Sequence, residues 1–297
     1  MISIRQKIQE FPLVTGIIIT LIYIIITIFG EIVTIILSKS ILNNNVVLTQ
    51  LIRFLILLLL NCIIWFIFVP KILFLPSVDT NLGTYLSSIN LSHESFKNLR
   101  RNIFYAISST IIFCMGLLTA STLTGEYIFD INRIIGLPKE GDLKSFVFLF
   151  NLIPGIFEEI VFRGVILILL LRKYSKNVSI TISALIFGIS HVINFLIFGN
   201  FWSSMTQIIT GIMIGCFFAY LVLRTSSLVP SIIIHYLYNS LAILFTVLDE
   251  SDPLTSFCLK ILFASLIPIV FNLILLRFFS PMKQEKSNIF QDTSSAS

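Results

Sequence analysis

This sequence predicts an all-α fold, a multi-pass transmembrane helical bundle of about eight spans, and three observations carry the prediction. Of 297 residues, 56% are hydrophobic and only 12% are charged, against nearly half apolar and about a quarter charged in ordinary soluble chains. Mean hydropathy is +0.99. Apolar windows recur at 13–38, 47–69, 102–123, 145–171, 179–198, 202–223, 228–247 and 256–278. Each is close to or above the ~20 residues that cross ~30 Å of hydrocarbon with all backbone hydrogen bonds closed inside the segment.

The first window follows Arg5 and Lys7, but it is too long for a signal-peptide core and has no small-residue cleavage site, so it reads as a retained span. The second and fourth windows are long enough to tilt or kink. A polar stretch with Gly125, Gly136, Pro138 and Gly141 then breaks the apolar pattern. The expected organisation is therefore an N-terminal region of about three spans (1–123), an extracytoplasmic linker (124–144), a core of four spans (145–247), a last span (248–280) and a Ser-rich, disordered tail (281–297).

The net charge of +5 does not point to nucleic acid, because the basic residues sit in short loops and form no single face. With the N-terminus cytoplasmic, 13 Lys and Arg fall on the inner side and 6 on the outer, which favours both termini inside, in a cell (plasma) membrane. Cys62, Cys114, Cys216 and Cys258 are scattered singly, without CxxC or metal-ligand spacing, and read as small hydrophobes.

The chemistry concentrates after the break. The fourth window contains EEIVFR, placing Glu158, Glu159 and Arg163 midway along an apolar helix, where ionisable groups are costly unless paired or hydrated. Glu159 and Arg163 are four residues apart on one helical face and form the expected structural ion pair. Glu158 points about 100° away with no partner on its own helix, which leaves it free to exchange a proton. Pro154 and Gly155, one turn earlier, are expected to kink the helix and make room for water. FGISH in the fifth window puts Phe187 and His191 on one face, and HYLYN in the seventh does the same for His235 and Asn239. Counting rise per residue, Glu158 and His191 fall about 20 and 18 Å from the inner side, and His235 and Asn239 about 10 and 16 Å, so one cavity between three helices is expected. His93 reads as a solvated surface residue. Asn151, Asn194 and Gln207 read as helix-packing amides, and Glu31 and Arg53 as a cross-helix pair or water-facing residues at span ends.

EEIVFR, FGISH and HYLYN, in this order, resemble the EExxxR, FxxxH and HxxxN signatures of the CaaX-protease-like (CPBP) intramembrane peptidases, a family that includes CaaX prenyl protease 2 and Abi-like proteins. The resemblance covers roughly 145–247. It implies that Glu158 and His191 activate a water, that His235 and Asn239 donate to the oxyanion, that Glu159 and Arg163 hold the helix, and that Phe187 packs the site wall. The substrate it implies is a membrane-embedded or lipidated peptide, with membrane lipids as the surroundings. The family's metalloprotease label raises a divalent metal such as zinc, whose ligands would be Glu158, His191 and His235. The HExxH spacing of zinc peptidases is absent, as are GxSG and GxGD. The resemblance also allows a second role, a non-catalytic membrane scaffold or a bacteriocin self-immunity protein of the same fold. A transporter would use the same buried acid and histidines as a relay, but matching broken helices are missing from the sequence.

Overall fold

The computed structural model describes residues 8, 10–41, 45–73, 82–92, 98–124, 127–129, 147–242, 244–247 and 252–279. His93, the tail 281–297 and most of the stretch 124–144 lie outside the described residues.

Helix α1 spans Pro12–Ser40. Helix α2 runs through Val46–Ile63, a π-helical stretch Ile64–Phe68 and Val69–Leu73. The short α3 (Leu82–Ser88) leads into α4 (Leu99–Thr124) and strand β1 (Tyr127–Phe129). Helix α5 comprises Val147–Phe150, Leu152–Glu159, a π-helical stretch Ile160–Ile166 and Leu167–Leu171. Then come α6 (Lys176–Ser190), α7 (Val192–Phe198), α8 (Phe201–Thr225) and α9 (Val229–Ala242). Strand β2 (Phe245–Val247) precedes α10, which is built from Pro253–Ile261, a π-helical stretch Leu262–Leu266 and Ile267–Phe279. The two strands pair antiparallel, Ile128 opposite Thr246, and tie together the connections that follow α4 and α9.

The all-α bundle is as expected, but the number of spans is corrected. Among the described residues six helices are long and apolar enough to cross a membrane: Pro12–Ser40, Val47–Ile72, Leu99–Thr124, Lys176–Ile197, Phe201–Thr225 and Pro253–Phe278. The other two windows become inner helices. Helix α9 has only 14 residues, about 21 Å at the helical rise, and the end of its window is spent on β2. Helix α5 carries three ionisable residues and is sheathed by its neighbours, with every residue from Ile160 to Ile166 buried. Window length alone does not separate a lipid-facing span from a helix wrapped in protein.

Packing is by small residues, as expected where lipid removes the hydrophobic drive between helices. The buried face of α1 reads Thr15, Gly16, Ile19, Thr20, Tyr23, Ile26, Gly30 and Thr34, while its Ile18, Ile25, Phe29 and Ile36 point outward to lipid. A Cβ on Gly155 would lie 2.9 Å from Tyr236 Cβ, so this glycine allows α5 and α9 to touch. Gly188 and Gly215 do the same between α6 and α8: a Cβ on Gly188 would lie 2.7 Å from the Ile208 carbonyl oxygen, and one on Gly215 would lie 3.2 Å from Ala184. Pro154 and Gly155 lie in the regular stretch Leu152–Glu159, but α5 is interrupted just before it at Asn151, where Pro154 has no N–H to give the Phe150 carbonyl, and it departs from α-geometry a second time in the π-helical stretch that follows Glu159. There the Phe162 carbonyl accepts both the Leu167 N–H and, at 2.9 Å, the Ser183 hydroxyl of α6. Such widened turns often accompany functional sites.

Candidate active site

The three motifs converge. Glu159 is fully buried and accepts from Arg163 Nη1 at 2.8 Å, forming the ion pair expected from the i,i+4 spacing. The same oxygen, Oε1, lies 2.9 Å from His235 Nδ1, a link between α5 and α9 that the sequence reading missed. A carboxylate only accepts, so this geometry places a proton on Nδ1 of His235. The other ring nitrogen, Nε2, faces Glu158 Oε2 at 3.7 Å. His235 is thus held between the two glutamates.

Glu158 has a partner as well, and it comes from outside the recognised motifs. The Tyr23 hydroxyl on α1 donates to Glu158 Oε1 at 3.2 Å. The Tyr23 ring is itself wedged against Phe162 (6.3 Å, edge-on) and Trp65 (6.4 Å). The only signal for it in the sequence is a phenol in a run of aliphatic residues.

His191 sits at the joint between α6 and α7, with φ −74° and ψ −6°. Its Nδ1 lies 3.0 Å from the Phe187 carbonyl oxygen. A carbonyl oxygen accepts, so Nδ1 is the donor here and Nε2 keeps its lone pair in the neutral ring. Phe187, expected as the site wall, meets His191 edge-on at 5.0 Å and His235 at 6.0 Å, and the Arg163 guanidinium lies 4.1 Å above its ring. One aromatic ring therefore positions both histidines and covers the buried cation.

A cavity of about 1130 Å³ contains Glu158, Phe187, His191, His235 and Asn239 in its lining. It is larger than a three-helix site. Helix α1 contributes Tyr23, Thr27 and Glu31, and α10 contributes Ser256 and Lys260. Asn151, Asn194 and Gln207 also line it, and Asn194 Nδ2 donates to Gln207 Oε1 at 2.7 Å across α7 and α8. Glu31 and Arg53 do pair, with Arg53 Nε 2.9 Å from Glu31 Oε1. The residues named for a divalent metal do not fit one: among the described residues no three His, Cys, Asp or Glu side chains group closely enough to hold an ion. No step below is routed through a metal.

Chemically, the arrangement offers one carboxylate reachable from the cavity, one imidazole with a free lone pair, a second imidazole braced by a buried carboxylate, and an amide. This is the equipment for activating a water and stabilising an oxyanion. Residues 141–241 match the Rce1-like family, described as type II CAAX prenyl endopeptidase Rce1-like. No curated protein and no solved structure gives a match. The chain is an integral membrane protein in which a segment of about a third of the length matches the Rce1-like family of CAAX prenyl endopeptidases.

Proposed function

We propose that this protein is an intramembrane endopeptidase that hydrolyses a membrane-embedded or lipid-anchored peptide with a water activated by Glu158. The observation that carries the reading is the convergence of Glu158, His191, His235 and Asn239 on one cavity, within a segment matching an endopeptidase family.

In this reading Glu158 takes a proton from a water that His191 Nε2 orients through its lone pair. The water oxygen forms a bond to the peptide carbonyl carbon, and the carbonyl oxygen becomes an oxyanion. Asn239 Nδ2 donates to that oxyanion, as does His235 Nε2 when both ring nitrogens carry protons, with Nδ1 held by Glu159. Collapse breaks the C–N bond, and the proton held by Glu158 passes to the leaving amine. The products are a new carboxylate and a new amine. Tyr23 keeps the Glu158 carboxylate aimed at the water through its hydrogen bond.

The test is cleavage of a quenched-fluorescent panel of lipidated peptides by purified protein, compared with Glu158→Gln and His191→Ala. Loss of general-base catalysis costs roughly 100- to 10,000-fold, so both variants should fall by at least about two orders of magnitude while remaining folded. Equal cleavage by wild type and Glu158→Gln sinks the reading. A panel left intact by wild type, in a protein that still protects cells against a peptide toxin, replaces it with the scaffold or self-immunity role.

A further inference from the structure

Helix direction decides from which side the cavity can be reached. The α1 lining residues run from Tyr23, near the middle of the helix, to Ile32 on the way to Ser40. Helix α5 begins at that same face and contributes positions 151–158, while α6 and α7 run toward it and contribute 187–197. Helix α8 starts there and gives 202–218, α9 gives 235–242, and α10 gives 253–260. The antiparallel packing is fixed by close approaches along the bundle: Gly16 against Ile166, Tyr23 against Glu158, Gly188 against Gly211 and Gly215 against Ala184. All six stretches therefore belong to one end of the bundle, and the catalytic group forms the cavity's floor.

The other end is solid. Phe162, Val165, Ile166, Leu221, Val222 and Leu228 are all 0% exposed. Beneath them the segment after α3 is folded against α5, where a Cβ on Gly164 would lie 3.2 Å from both Ile89 Cβ and Leu228 Cδ1.

Charge tells the two faces apart. Lys71, Arg100, Arg101, Arg172, Lys173, Lys176, Arg224 and Arg277 all lie at helix ends on the closed face. Among the described residues these eight stand against three, Lys39, Arg53 and Lys260, toward the open side. Two of those three, Arg53 and Lys260, are not loop charges at all. Arg53 is bound to Glu31 within the bundle, and Lys260 is in the cavity wall. Basic residues mark the cytoplasmic side, so the cavity opens away from it.

From this geometry we infer that substrate reaches the site from the extracytoplasmic face: the peptidase takes an exported peptide, or one anchored in the outer leaflet, and not a cytoplasmic C-terminus. This rests on the peptidase reading above. The polar wall near the opening suits such a segment, because the Asn194–Gln207 amide pair and Ser203 can exchange hydrogen bonds with a backbone entering unfolded from water.

The test uses a variant in which the four cysteines are alanine and cleavage is retained. Single cysteines are placed at Ser203, exposed in the cavity wall, and at Lys176, exposed on the closed face. Intact cells are treated with a membrane-impermeant maleimide, before and after permeabilisation. The expected result is labelling of Ser203→Cys in intact cells and of Lys176→Cys only after permeabilisation. In proteoliposomes, labelled Ser203→Cys should lose cleavage of an acylated peptide added outside. Reversed labelling, or labelling of both positions only after permeabilisation, overturns the inference, and cleavage in detergent would then leave the peptidase reading standing. Labelling as expected with no peptide cleaved even in detergent removes the peptidase reading and the substrate assignment with it, leaving only the orientation.

Discussion

Gly188→Ala is the perturbation whose size the structure defines best. Gly188 lies where α6 crosses α8, and a Cβ there would fall 2.3 Å from Ile212 Cγ1, 2.7 Å from the Ile208 carbonyl oxygen and 2.9 Å from Ile212 N. The Ile212 side chain can rotate away, but the two backbone atoms cannot. Ordinary contact begins at 3.4 Å, so the helices must part by the difference from 2.7 Å, which is 0.7 Å. Overpacking of this kind costs ~1–3 kcal/mol. The larger effect falls on chemistry. His191 is three residues further along and packs by Gly211, where an added Cβ would lie 3.8 Å from His191 Nδ1, so the imidazole moves with the helix. A misplacement near 1 Å costs on the order of 100-fold in rate, and at 0.7 Å a loss of roughly 10- to 100-fold in kcat is expected. The assay is kcat on a cleaved lipidated peptide beside Tm in detergent. Gly116→Ala is the control, since its Cβ would fall 2.1 Å from the Phe263 carbonyl oxygen between α4 and α10, outside the cavity lining. It should lower Tm while keeping activity per folded molecule near wild type. Wild-type Tm and kcat in Gly188→Ala, or an equal loss of activity per folded molecule in Gly116→Ala, would show that the α6–α8 contact at Gly188 does not position His191.

Tyr23→Phe removes only the hydroxyl that donates to Glu158. Hydrogen bonds to charged groups are worth ~1.5–3 kcal/mol, so kcat should fall at least about tenfold with KM and Tm little changed; an unchanged kcat removes Tyr23 from the positioning of the base. Glu159→Ala leaves Arg163 buried without its carboxylate and His235 without its brace. Breaking a buried pair in this way costs ~3–5 kcal/mol, so folded protein should fail to accumulate, and Glu159→Gln should recover it in part, as read by size-exclusion chromatography. At the start of α10, the Thr255 hydroxyl, with the Leu254 and Thr255 amides, holds the Asp252 carboxyl below its ordinary range. A lowered folded-state value means that the cap contributes above that ordinary range and is lost as pH falls through the lowered one. Asp252→Ala should therefore speed amide exchange at Leu254 and Thr255 near neutral pH, and the difference from wild type should vanish at strongly acidic pH.

The parts of this site that were legible in the sequence are those governed by local spacing. Glu159 and Arg163 at i,i+4, and the pairs Phe187–His191 and His235–Asn239, each lie on one helical face whatever the surrounding fold, and charged residues in an apolar helix demand a partner. What escaped depends on which helices are neighbours. Tyr23 reaches Glu158 across 135 residues of sequence, and nothing in an aliphatic run with one phenol specifies that contact. The Glu159–His235 link escaped for the same reason, being a matter of α5 and α9 touching at Gly155. Window length overstated the spans because α5 and α9 are as apolar as the helices that enclose them, although their apolar surface faces protein.

The central claim, that Glu158 activates a water to cut a peptide bond, is tested most directly by isotope. Wild-type protein and Glu158→Gln are given a lipidated peptide in heavy-oxygen water, and the products are weighed by mass spectrometry. Wild type should form a new carboxylate carrying a single heavy oxygen in one turnover, and Glu158→Gln should give no cleavage product. Product from Glu158→Gln at the wild-type rate, or wild-type product without the heavy oxygen, would contradict it.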